Sequence, residues 1–368
     1  MVEWKKLGEV CEILDSQRKP VAKEERSQGI YPYYGANGIQ DYVSSYIFDG
    51  TFLLMGEDGS VINKDKSPVL HWTEGRIWVN NHAHILKENE RALLRYLYYS
   101  LQCTDVSDIV RGVPPKINQA NMRNIPIPIP SLSEQSRIVS ILDTFTSSIS
   151  NLKQQIEERR KQYEYERDLL LDLEGKEGVE MKKLGEVGDI CMCKRIMKNQ
   201  TSDVGDIPFF KIGTFGGVPD AYISRELFED YKEKYSYPKK GEILISAAGT
   251  IGRTVVFNGE DAYFQDSNIV WISNNEQLVL NTFLRYLYGV IDWKIDGGTI
   301  KRLYNYNLKN ATIYVPTLQA QSRIVSILDT FEQSISNLEE QLAMREKQYE
   351  YYRNQLLTFE GEEERGKT

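Results

Sequence analysis

The sequence is poor in cysteine and histidine and has no long apolar run. Four cysteines among 368 residues do not suit the disulfide framework of a small secreted protein. No stretch of about 18 or more apolar residues occurs, the length that a membrane-spanning helix needs. Residues 1–6 lack the apolar core and cleavage pattern of a secretory signal. Together these absences lead us to expect a cytoplasmic protein that does not contact a membrane.

Metal ligands and catalytic groups are also scarce. The three histidines are His71, His82 and His84, and the last two alternate on one predicted strand without a third ligand at a zinc-binding spacing. Cys191 and Cys193 are not spaced as a zinc hook and have no second pair. We therefore predict no metal site and no catalytic residue in this chain.

One short pattern does suit a metal-dependent nuclease. Pro219-Asp220 precedes Asp230-Tyr231-Lys232, and two carboxylates with a lysine are able to hold Mg²⁺ at a phosphate. Such short patterns often arise by chance, so a stand-alone nuclease is kept as an alternative. The glycine-rich stretches 213–217 and 249–252 lack the Lys-Ser/Thr ending of a phosphate loop.

The charge of the chain is unevenly distributed. The formal net charge is −8, which disfavours DNA binding if it is averaged over the whole chain. Affinity for phosphates depends, however, on where the cations lie. Residues 111–123 contain three Lys and Arg and no acid, and residues 294–309 contain four against one acid, so each segment has a net charge of +3. The pattern is typical of a local basic surface on an acidic chain.

The most informative feature is a long internal repeat. Residues 135–145 and 321–331 share the same eleven letters, QSRIVSILDTF, at an offset of 186. Over the 37 positions that begin at Gln135 and Gln321, 26 residues are identical. The shorter repeats KKLGEV and LRYLY occur once in each half, and the stretches between them differ. Two long copies indicate a pseudo-dimer within one chain rather than a solenoid of many short repeats.

Each near-constant block predicts one long helix. Apolar residues recur at alternating steps of four and three, the spacing of a coiled-coil seam. Ser131 and Glu134 have capping-box spacing just after a proline, and Thr317 holds the matching position in the second copy. We expect the two seams to pack together. The seam residues are Ile138, Leu142, Phe145, Ile149, Leu152 and Ile156, and Ile324, Leu328, Phe331, Ile335, Leu338 and Leu342.

The variable blocks predict two mixed α/β domains. Short β-rich runs bounded by glycine fall at 46–55, 76–86, 241–246, 254–258 and 268–273, and one short helix is expected in each block. The predicted order is a first domain at 1–130, a long helix at 131–172, a linker at 173–180, a second domain at 181–316, a second long helix at 317–359 and an acidic tail at 360–368.

The duplicated layout, the repeated KKLGEV opening and the SEQSRIVSILD-like helix start resemble the specificity subunits of type I restriction–modification enzymes. Residues 207–212, 241–252 and 305–308 look like parts of that family's second target recognition domain, and 117–122 like the matching part of the first. The resemblance covers nearly the whole chain. It implies that each recognition domain reads one half of a split, asymmetric DNA target, and that the long helices pair as an antiparallel coiled coil which sets the gap between the half-sites.

The resemblance also implies partners. They would be double-stranded DNA, two methyltransferase subunits docked on the helices, and restriction subunits that translocate DNA. S-adenosylmethionine, ATP and Mg²⁺ would be bound by those partner subunits, and this non-catalytic chain would hold no cofactor of its own.

The loop before the last strand of each domain is where we first expect DNA contact. Arg and Lys suit guanine or phosphate, Asn and Gln suit adenine, and Gly112 and Gly297–Gly298 would permit close backbone approach. For any one of these residues an ordinary solvated loop, with the tyrosines packed against neighbours, is an equal alternative. The predicted residues are Arg111, Lys116, Asn118, Gln119 and Asn121 in the first domain and Lys301, Arg302, Tyr304, Asn305 and Tyr306 in the second, with Tyr34, Asn37, Lys211, Thr214 and Arg253 as secondary candidates.

An interaction scaffold is the main alternative function. In that case the helices would bind partners and the two domains would bind protein or sugar. Sequence-selective duplex binding together with a methyltransferase supports DNA recognition, whereas Mg²⁺-dependent cleavage by this chain alone supports the nuclease.

Overall fold

The computed structural model describes residues 2–296 and 301–359. The chain forms two compact units, unit 1 (residues 1–154 with 339–368) and unit 2 (residues 155–338). Each unit therefore combines one variable block with parts of both long helices, and the chain divides inside the helices rather than at the predicted domain boundaries. The predicted tail and Gly297–Gly298 lie outside the described residues.

Helices and strands follow one another in a similar order in the two halves. The first half contains β1 (Glu3–Lys6), α1 (Leu7–Val10), β2 (Cys11–Ile13), β3 (Gln28–Gly35), β4 (Gly38–Val43), β5 (Phe48–Gly56), β6 (Leu70–Val79), β7 (Ala83–Glu88), α2 (Leu94–Leu101), α3 (Gln119–Arg123), β8 (Pro126–Ile129) and α4 (Leu132–Leu171). The second half contains β9 (Glu180–Lys183), α5 (Leu184–Val187), β10 (Gly188–Cys191), β11 (Ile207–Phe210), β12 (Tyr222–Ile223), α6 (Arg225–Lys234), β13 (Ile243–Ser246), β14 (Thr254–Val256), β15 (Tyr263–Phe264), β16 (Ile269–Asn274), α7 (Asn281–Tyr288), α8 (Asn305–Asn310), β17 (Thr312–Val315) and α9 (Leu318–Leu357).

Unit 1 is built on a mixed sheet with the strand order β2-β7-β5-β6-β3-β4. Its neighbouring strands are antiparallel except for β3 and β6, which run parallel. β1 pairs separately with β8, so the start and the end of the variable block lie side by side. Leu53 and Met55 of β5 pack with α2 in one core, while Phe52 and Leu54 belong to a second core on the opposite side of the strand.

Unit 2 divides its strands among smaller sheets. The antiparallel sheet has the order β10-β16-β13-β14, and a second sheet has the order β12-β11-β15. β17 pairs with β9 as β8 does with β1. Each variable block is therefore closed at its base by one strand from its start and one from its end.

In unit 1 the first part of α4 packs against the last part of α9. The rings of Phe145 and Tyr352 stack with their centroids 5.3 Å apart, and Lys153 Nζ lies 2.9 Å from Glu346 Oε1. As α4 advances, its partners move backwards along α9, so the two segments are antiparallel.

The same arrangement occurs separately in unit 2. The Tyr163 hydroxyl donates to Glu332 Oε1 at 3.1 Å, and its ring lies 6.4 Å from that of Phe331. Leu171, at the end of α4, shares a core with Ile324, near the start of α9. These segments are antiparallel as well.

The predicted seam faces inward on both helices. Its buried members are Ile138, Leu142, Ile156, Ile324 and Leu328, and its partly buried members are Phe145, Ile149, Leu152, Phe331, Ile335, Leu338 and Leu342. The ends of the seam also pack against the variable blocks, because Ile138 and Leu142 share a core with α2 and Ile324 and Leu328 share one with α7. The seam is thus part of the core of each unit as well as a contact between helices.

The repeated LGEV letters form a short helix in each half. The amide of Leu7 donates to the carbonyl of Ile125 at 2.8 Å, and the amide of Leu184 donates to that of Ala311 at 3.0 Å. A Cβ on Gly185 would lie 3.2 Å from Lys309 atoms of α8, so the glycine allows the two short helices to approach closely. The repeat is explained by its role in closing the base of each unit.

Two secondary-structure predictions were wrong. Residues 76–86 form the end of β6, a turn and the start of β7 rather than a single run. More than one short helix is present in each block, including α6, which Ser224 caps by accepting from the Leu227 amide. None of the helices in the described ranges has the length and apolar content needed to cross a bilayer.

Candidate nucleic-acid interface

The loop that precedes α3 in unit 1 forms an exposed turn over residues 111–116. The backbones of Arg111 and Lys116 exchange two hydrogen bonds, of 2.9 and 2.8 Å, which close the turn. Gly112 has a φ of 82°, a left-handed conformation that favours glycine. Val113 is fully exposed, and the Arg111 side chain is exposed beside it. The turn therefore presents a cation to solvent and has little apolar packing of its own.

Four charged residues lie beneath this turn and are called here the buried charge network. Asp15 and Arg18 follow β2, Glu57 follows β5, and His84 belongs to β7. Ligand atoms of the two acids and the histidine lie within 4.8 Å of one another, and all three residues are buried. The network joins the segment after β2, the segment after β5 and strand β7.

Two hydrogen bonds connect the network to the segment that follows the turn. Gln119 Nε2 donates to Asp15 Oδ2 at 2.9 Å, and His84 Nε2 donates to the carbonyl of Ile117 at 2.8 Å. His84 Nδ1 lies 2.6 Å from Asp15 Oδ2. Both ring nitrogens of His84 therefore lie within hydrogen-bonding distance of acceptor oxygens.

The carboxylates of the network are paired with cations. Arg18 pairs with Asp15 and Glu57, and Lys116 Nζ lies 3.3 Å from Glu57 Oε1. Burial alone would raise the pKa of Asp15, but hydrogen bonds and the nearby charge of His84 bring that pKa below its ordinary value. A metal ion would have to displace these cations, so the geometry is better explained by ion pairing than by a metal site.

Two predicted DNA-binding residues of unit 1 serve the local fold. Asn118 Oδ1 accepts from the Asn121 amide at 2.8 Å and so caps α3. Asn121 Nδ2 donates to the carbonyl of Ile109 at 3.2 Å. Gln119, as described above, belongs with the network, so that Arg111 and Lys116 are the members of the predicted set that lie on the turn itself.

The secondary candidates of unit 1 lie on the β3–β4 hairpin. Asn37 is exposed in the turn between the paired residues Gly35 and Gly38. Tyr34 is partly buried against the second core of the sheet, and burial raises the pKa of its hydroxyl. Asn37 is therefore available for contact, whereas Tyr34 is mainly a packing residue.

In unit 2 the turn at residues 265–268, between β15 and β16, connects the predicted loops. Arg302 Nη2 donates to the Ser267 carbonyl and hydroxyl, both at 2.9 Å, and to Asn268 Oδ1 at 2.8 Å. Ile212 donates its amide to the side chain of Gln265 at 2.9 Å. The turn thus fixes the loop at 301–306 and the loop after β11, and part of the Arg302 guanidinium is occupied within the chain.

The secondary candidates of unit 2 differ in how free they are. Lys211 Nζ pairs with Asp220 Oδ1 at 2.8 Å, and Thr214 Oγ1 accepts from the Lys211 amide at 3.1 Å. Arg253 is exposed, and its Nη2 donates to the carbonyl of Gly216 at 3.4 Å. Arg253 is accordingly the most accessible of the three.

The segment 301–306, a loop that leads into α8, carries an aromatic pair. The rings of Tyr304 and Tyr306 stack at 5.9 Å with an interplanar angle of 11°, and the residues are 43% and 54% exposed. The Tyr306 hydroxyl hydrogen-bonds to Asp296. Lys301 is exposed on the loop, whereas Asn305 and Tyr306, which were predicted to lie on it, belong to the first turn of α8. The segment offers a cation, an amide and two aromatic faces to a ligand.

Sequence reasoning missed cations in the loops directly after β2 and β10. Lys19 is exposed in unit 1, and Lys198 is exposed in unit 2. Arg195 is 73% exposed at its side chain and lies 4.0 Å from Asp266. The signal was present, since basic residues follow the strand after LGEV in both halves.

The nuclease-like pattern does not form a site. Asp220 pairs with Lys211, whereas Asp230 and Lys232 lie on α6. Lys232 Nζ is 3.3 Å from Asp261, and Asp230 pairs with a lysine one helical turn further on. The two carboxylates are therefore engaged by different cations, and the nuclease alternative loses its basis.

The two halves share a repeated frame but carry different exposed loops. A comparison with known proteins explains this arrangement. A family model described as the type I restriction modification DNA specificity domain matches residues 1–159 and 176–344. The chain belongs to this family. It is similar to a putative type I restriction enzyme specificity subunit of Haemophilus influenzae, with 51% identity in an alignment of 375 positions that covers 97% of this chain and 96% of that protein. It is also similar to a type I restriction enzyme specificity subunit of Escherichia coli, with 28% identity over 97% of this chain and 94% of that protein.

Solved structures of specificity subunits share the fold. An S subunit of a type I restriction-modification system from M. genitalium matches with a TM-score of 0.65 at 15% identity, over 98% of this chain and 97% of that one. A chain from a structure of type I system assembly matches with a TM-score of 0.55 at 20% identity, over 97% of this chain and 96% of that one. The predicted family and the predicted mixed α/β fold are therefore confirmed. Each half of the chain contains one copy of the family domain.

Proposed function

We propose that this chain is the DNA recognition subunit of a type I restriction–modification enzyme, and that each unit reads one half of a bipartite target. The observation that carries the proposal is the contrast between frame and loops. The long helices are identical at 26 of the 37 positions that begin at Gln135 and Gln321, whereas the exposed segments 111–116 and 301–306 have different sequences. Two different surfaces on one repeated frame suit two different half-sites.

The chemistry of the loops supports DNA as the ligand. In unit 1 the exposed turn offers Arg111. In unit 2 the segment 301–306 offers Lys301 and Asn305 beside the stacked pair Tyr304 and Tyr306. Cations on exposed loops position a protein on phosphates, and amide or guanidinium groups read base edges. The overall charge of −8 is compatible with this function because residues 111–116 and 301–306 contain no acid.

The long helices would hold the two recognition surfaces at a set separation. Both α4 and α9 have 40 residues, about 60 Å at 1.5 Å per residue, and each contributes to both units. Antiparallel pairing within each unit supports a coiled-coil spacer whose length would define the gap between half-sites.

The exposed surface of the helices suits two methyltransferase subunits. Tyr165 is 68% exposed on α4 and Tyr351 is 60% exposed on α9, and the two positions are equivalent at the 186-residue offset. Leu169 and Met344 are also exposed, at 50% and 58%. Groups of exposed apolar side chains are typical of protein contact surfaces, and the equivalent positions of Tyr165 and Tyr351 would bind two copies of one partner.

Catalysis would then belong to the partners in the cytoplasm. The methyltransferase subunits would bind S-adenosylmethionine, and restriction subunits would bind ATP and Mg²⁺. This chain would contribute sequence recognition and spacing.

The test is a selection from a randomised duplex library, using the full chain assembled with its methyltransferase. The unaltered complex should select a split, asymmetric sequence. Arg111→Ala should weaken the preference in one half, and Lys301→Ala with Tyr304→Ala should weaken it in the other. Selection of no sequence, or an equal effect of both variants on both halves, would contradict the proposal.

A further inference from the structure

The exposed turn at 111–116 needs support from outside itself. Its two cross-turn hydrogen bonds close it but do not attach it to the sheet. Val113 is fully exposed, so apolar burial does not hold its tip. One backbone bond, from the Gly59 amide to the Pro115 carbonyl at 2.9 Å, reaches the loop after β5. Further attachment comes from the residues at the base of the turn, and these contact the buried charge network.

The contacts at the base are one ion pair and three hydrogen bonds. Lys116 Nζ forms an ion pair with Glu57 Oε1 at 3.3 Å, and the Glu57 carbonyl accepts a hydrogen bond from the Ile117 amide at 3.0 Å. The Ile117 carbonyl accepts from His84 at 2.8 Å, and Asp15 accepts from Gln119 at 2.9 Å. Lys116, Ile117 and Gln119 therefore join this segment to the loop after β5, to β7 and to the loop after β2.

We infer that the buried charge network is a positioning device for recognition of one half-site. It holds Arg111 and Lys116 in the geometry that contact with DNA requires, and its members Asp15, Arg18, Glu57 and His84 need not touch DNA themselves. This inference rests on the proposed function of the chain.

Burial restricts the movement of the side chains in the buried charge network. The His84 side chain is 0% exposed, that of Asp15 is 3% and that of Glu57 is 11%. Removing one partner from a buried ion-pair group leaves an uncompensated charge, which the structure relieves by moving or by admitting water. A site held within about 0.5 Å of its productive geometry by supporting hydrogen bonds loses selectivity when those bonds are cut.

The residues at this place in unit 2 hold their loop differently. There Arg302 fixes the loop through Ser267 and Asn268, and no cluster of three or more acids, histidines or cysteines within ligand distance occurs among the described residues of that unit. A change in the network should therefore affect one half of the target and not the other.

The experiment uses the full chain with its methyltransferase and a randomised duplex library, and it scores base preference separately in each half of the selected sequence. Gln119→Ala removes the link from Asp15 to α3 and leaves the buried charges in place, so the chain should still fold. His84→Gln tests the centre of the network. We expect both variants to lower base discrimination several-fold in one half-site and to leave the other unchanged.

Asp49→Asn is the matched control, because it breaks an exposed ion pair with Arg76 in the same unit. It should leave both half-sites unchanged. Unchanged preference in both half-sites for Gln119→Ala, or an equal fall in both, would overturn the inference while the proposed function stands. Failure of the unaltered complex to select any sequence would instead overturn the proposed function.

Discussion

The repeated glutamines Gln135 and Gln321 show why single letters recur in the two halves. Both side chains are fully buried. Gln135 accepts from the Leu93 amide at 2.9 Å and donates to the Pro130 carbonyl at 3.0 Å. Gln321 makes the equivalent bonds to Leu280 and to the carbonyl just before its helix. Each glutamine ties the start of a long helix to the start of a short one.

Replacing either glutamine should therefore destabilise its unit. Gln135→Ala and Gln321→Ala each leave a partly buried amide and a buried carbonyl without the glutamine partner, a loss of about 1–3 kcal/mol in the free energy of unfolding. Gln333→Ala, on an exposed helix surface, should cost much less. Urea unfolding of the three variants measures the difference, and equal losses at all three positions would contradict the structural role.

Asp15 gives a prediction about pH. Its pKa lies below the ordinary value of 3.8 in the folded chain, so ionised Asp15 stabilises the fold above that value and the contribution disappears as the pH falls through the folded pKa. The difference in unfolding free energy between the unaltered chain and Asp15→Asn should thus be large at neutral pH and shrink at a pH below 3.8. Denaturation curves at both pH values test this, and a difference independent of pH would show that the carboxylate is not ionised in the fold.

At the residue scale, the sequence predicts segments for DNA contact but not which of their side chains are free to make it. Asn118 caps a helix, and Arg302 is bonded to Ser267 and Asn268. These partners are set by turns whose geometry depends on the rest of the fold. The buried charge network was missed for the same reason, since Asp15 and His84 are 69 positions apart along the chain.

At the scale of helices and strands, periodic segments were predictable and short ones were not. The long helices run from Leu132 to Leu171 and from Leu318 to Leu357, because a seam that continues over many turns leaves little ambiguity. The run 76–86 was misread because β-rich letters continue through a tight turn, and only pairing with β5 reveals the break. Helix α6 had a readable N-cap and was overlooked beside the nuclease-like letters.

The equivalent aromatic contacts of the two helices should have similar energetic roles. Phe145 stacks on Tyr352 in unit 1, and Phe331 lies against Tyr163 in unit 2. Both phenylalanines are partly buried, so replacement by alanine should cost about 1–3 kcal/mol, less than the roughly 3–5 kcal/mol of a fully buried ring.

Leucine at the same two positions supplies the control, because it keeps most of the apolar volume. Thermal unfolding of the alanine and leucine variants should show a larger decrease for alanine in each pair. If alanine at either position has no effect, that contact does not stabilise its unit.

At the scale of the whole molecule, the repeat predicted two units but not the order of their strands. The parallel pairing of β3 with β6 and that of β11 with β15 join segments that are far apart in sequence. Strand order depends on such long-range pairing, which a hydrophobic pattern does not encode. The base of each unit was more predictable, because KKLGEV and a short final strand followed directly by a proline recur together.

Helix length offers the sharpest test of the whole assembly. The two units meet in sequence between residues 154 and 155 on α4 and between residues 338 and 339 on α9. Seven residues inserted at both places keep the heptad phase of the seam nearly intact and leave the contacts within each unit unchanged. The added length is about 10 Å, or roughly three base pairs at about 3.4 Å each. The complex should then select half-sites with a gap longer by about that amount.

The same insertion in α4 alone gives the added turns no partner and should weaken binding without lengthening the gap. If the double insertion leaves the selected gap unchanged, the paired helices do not set the spacing, and the two recognition surfaces must be positioned by another part of the assembled enzyme.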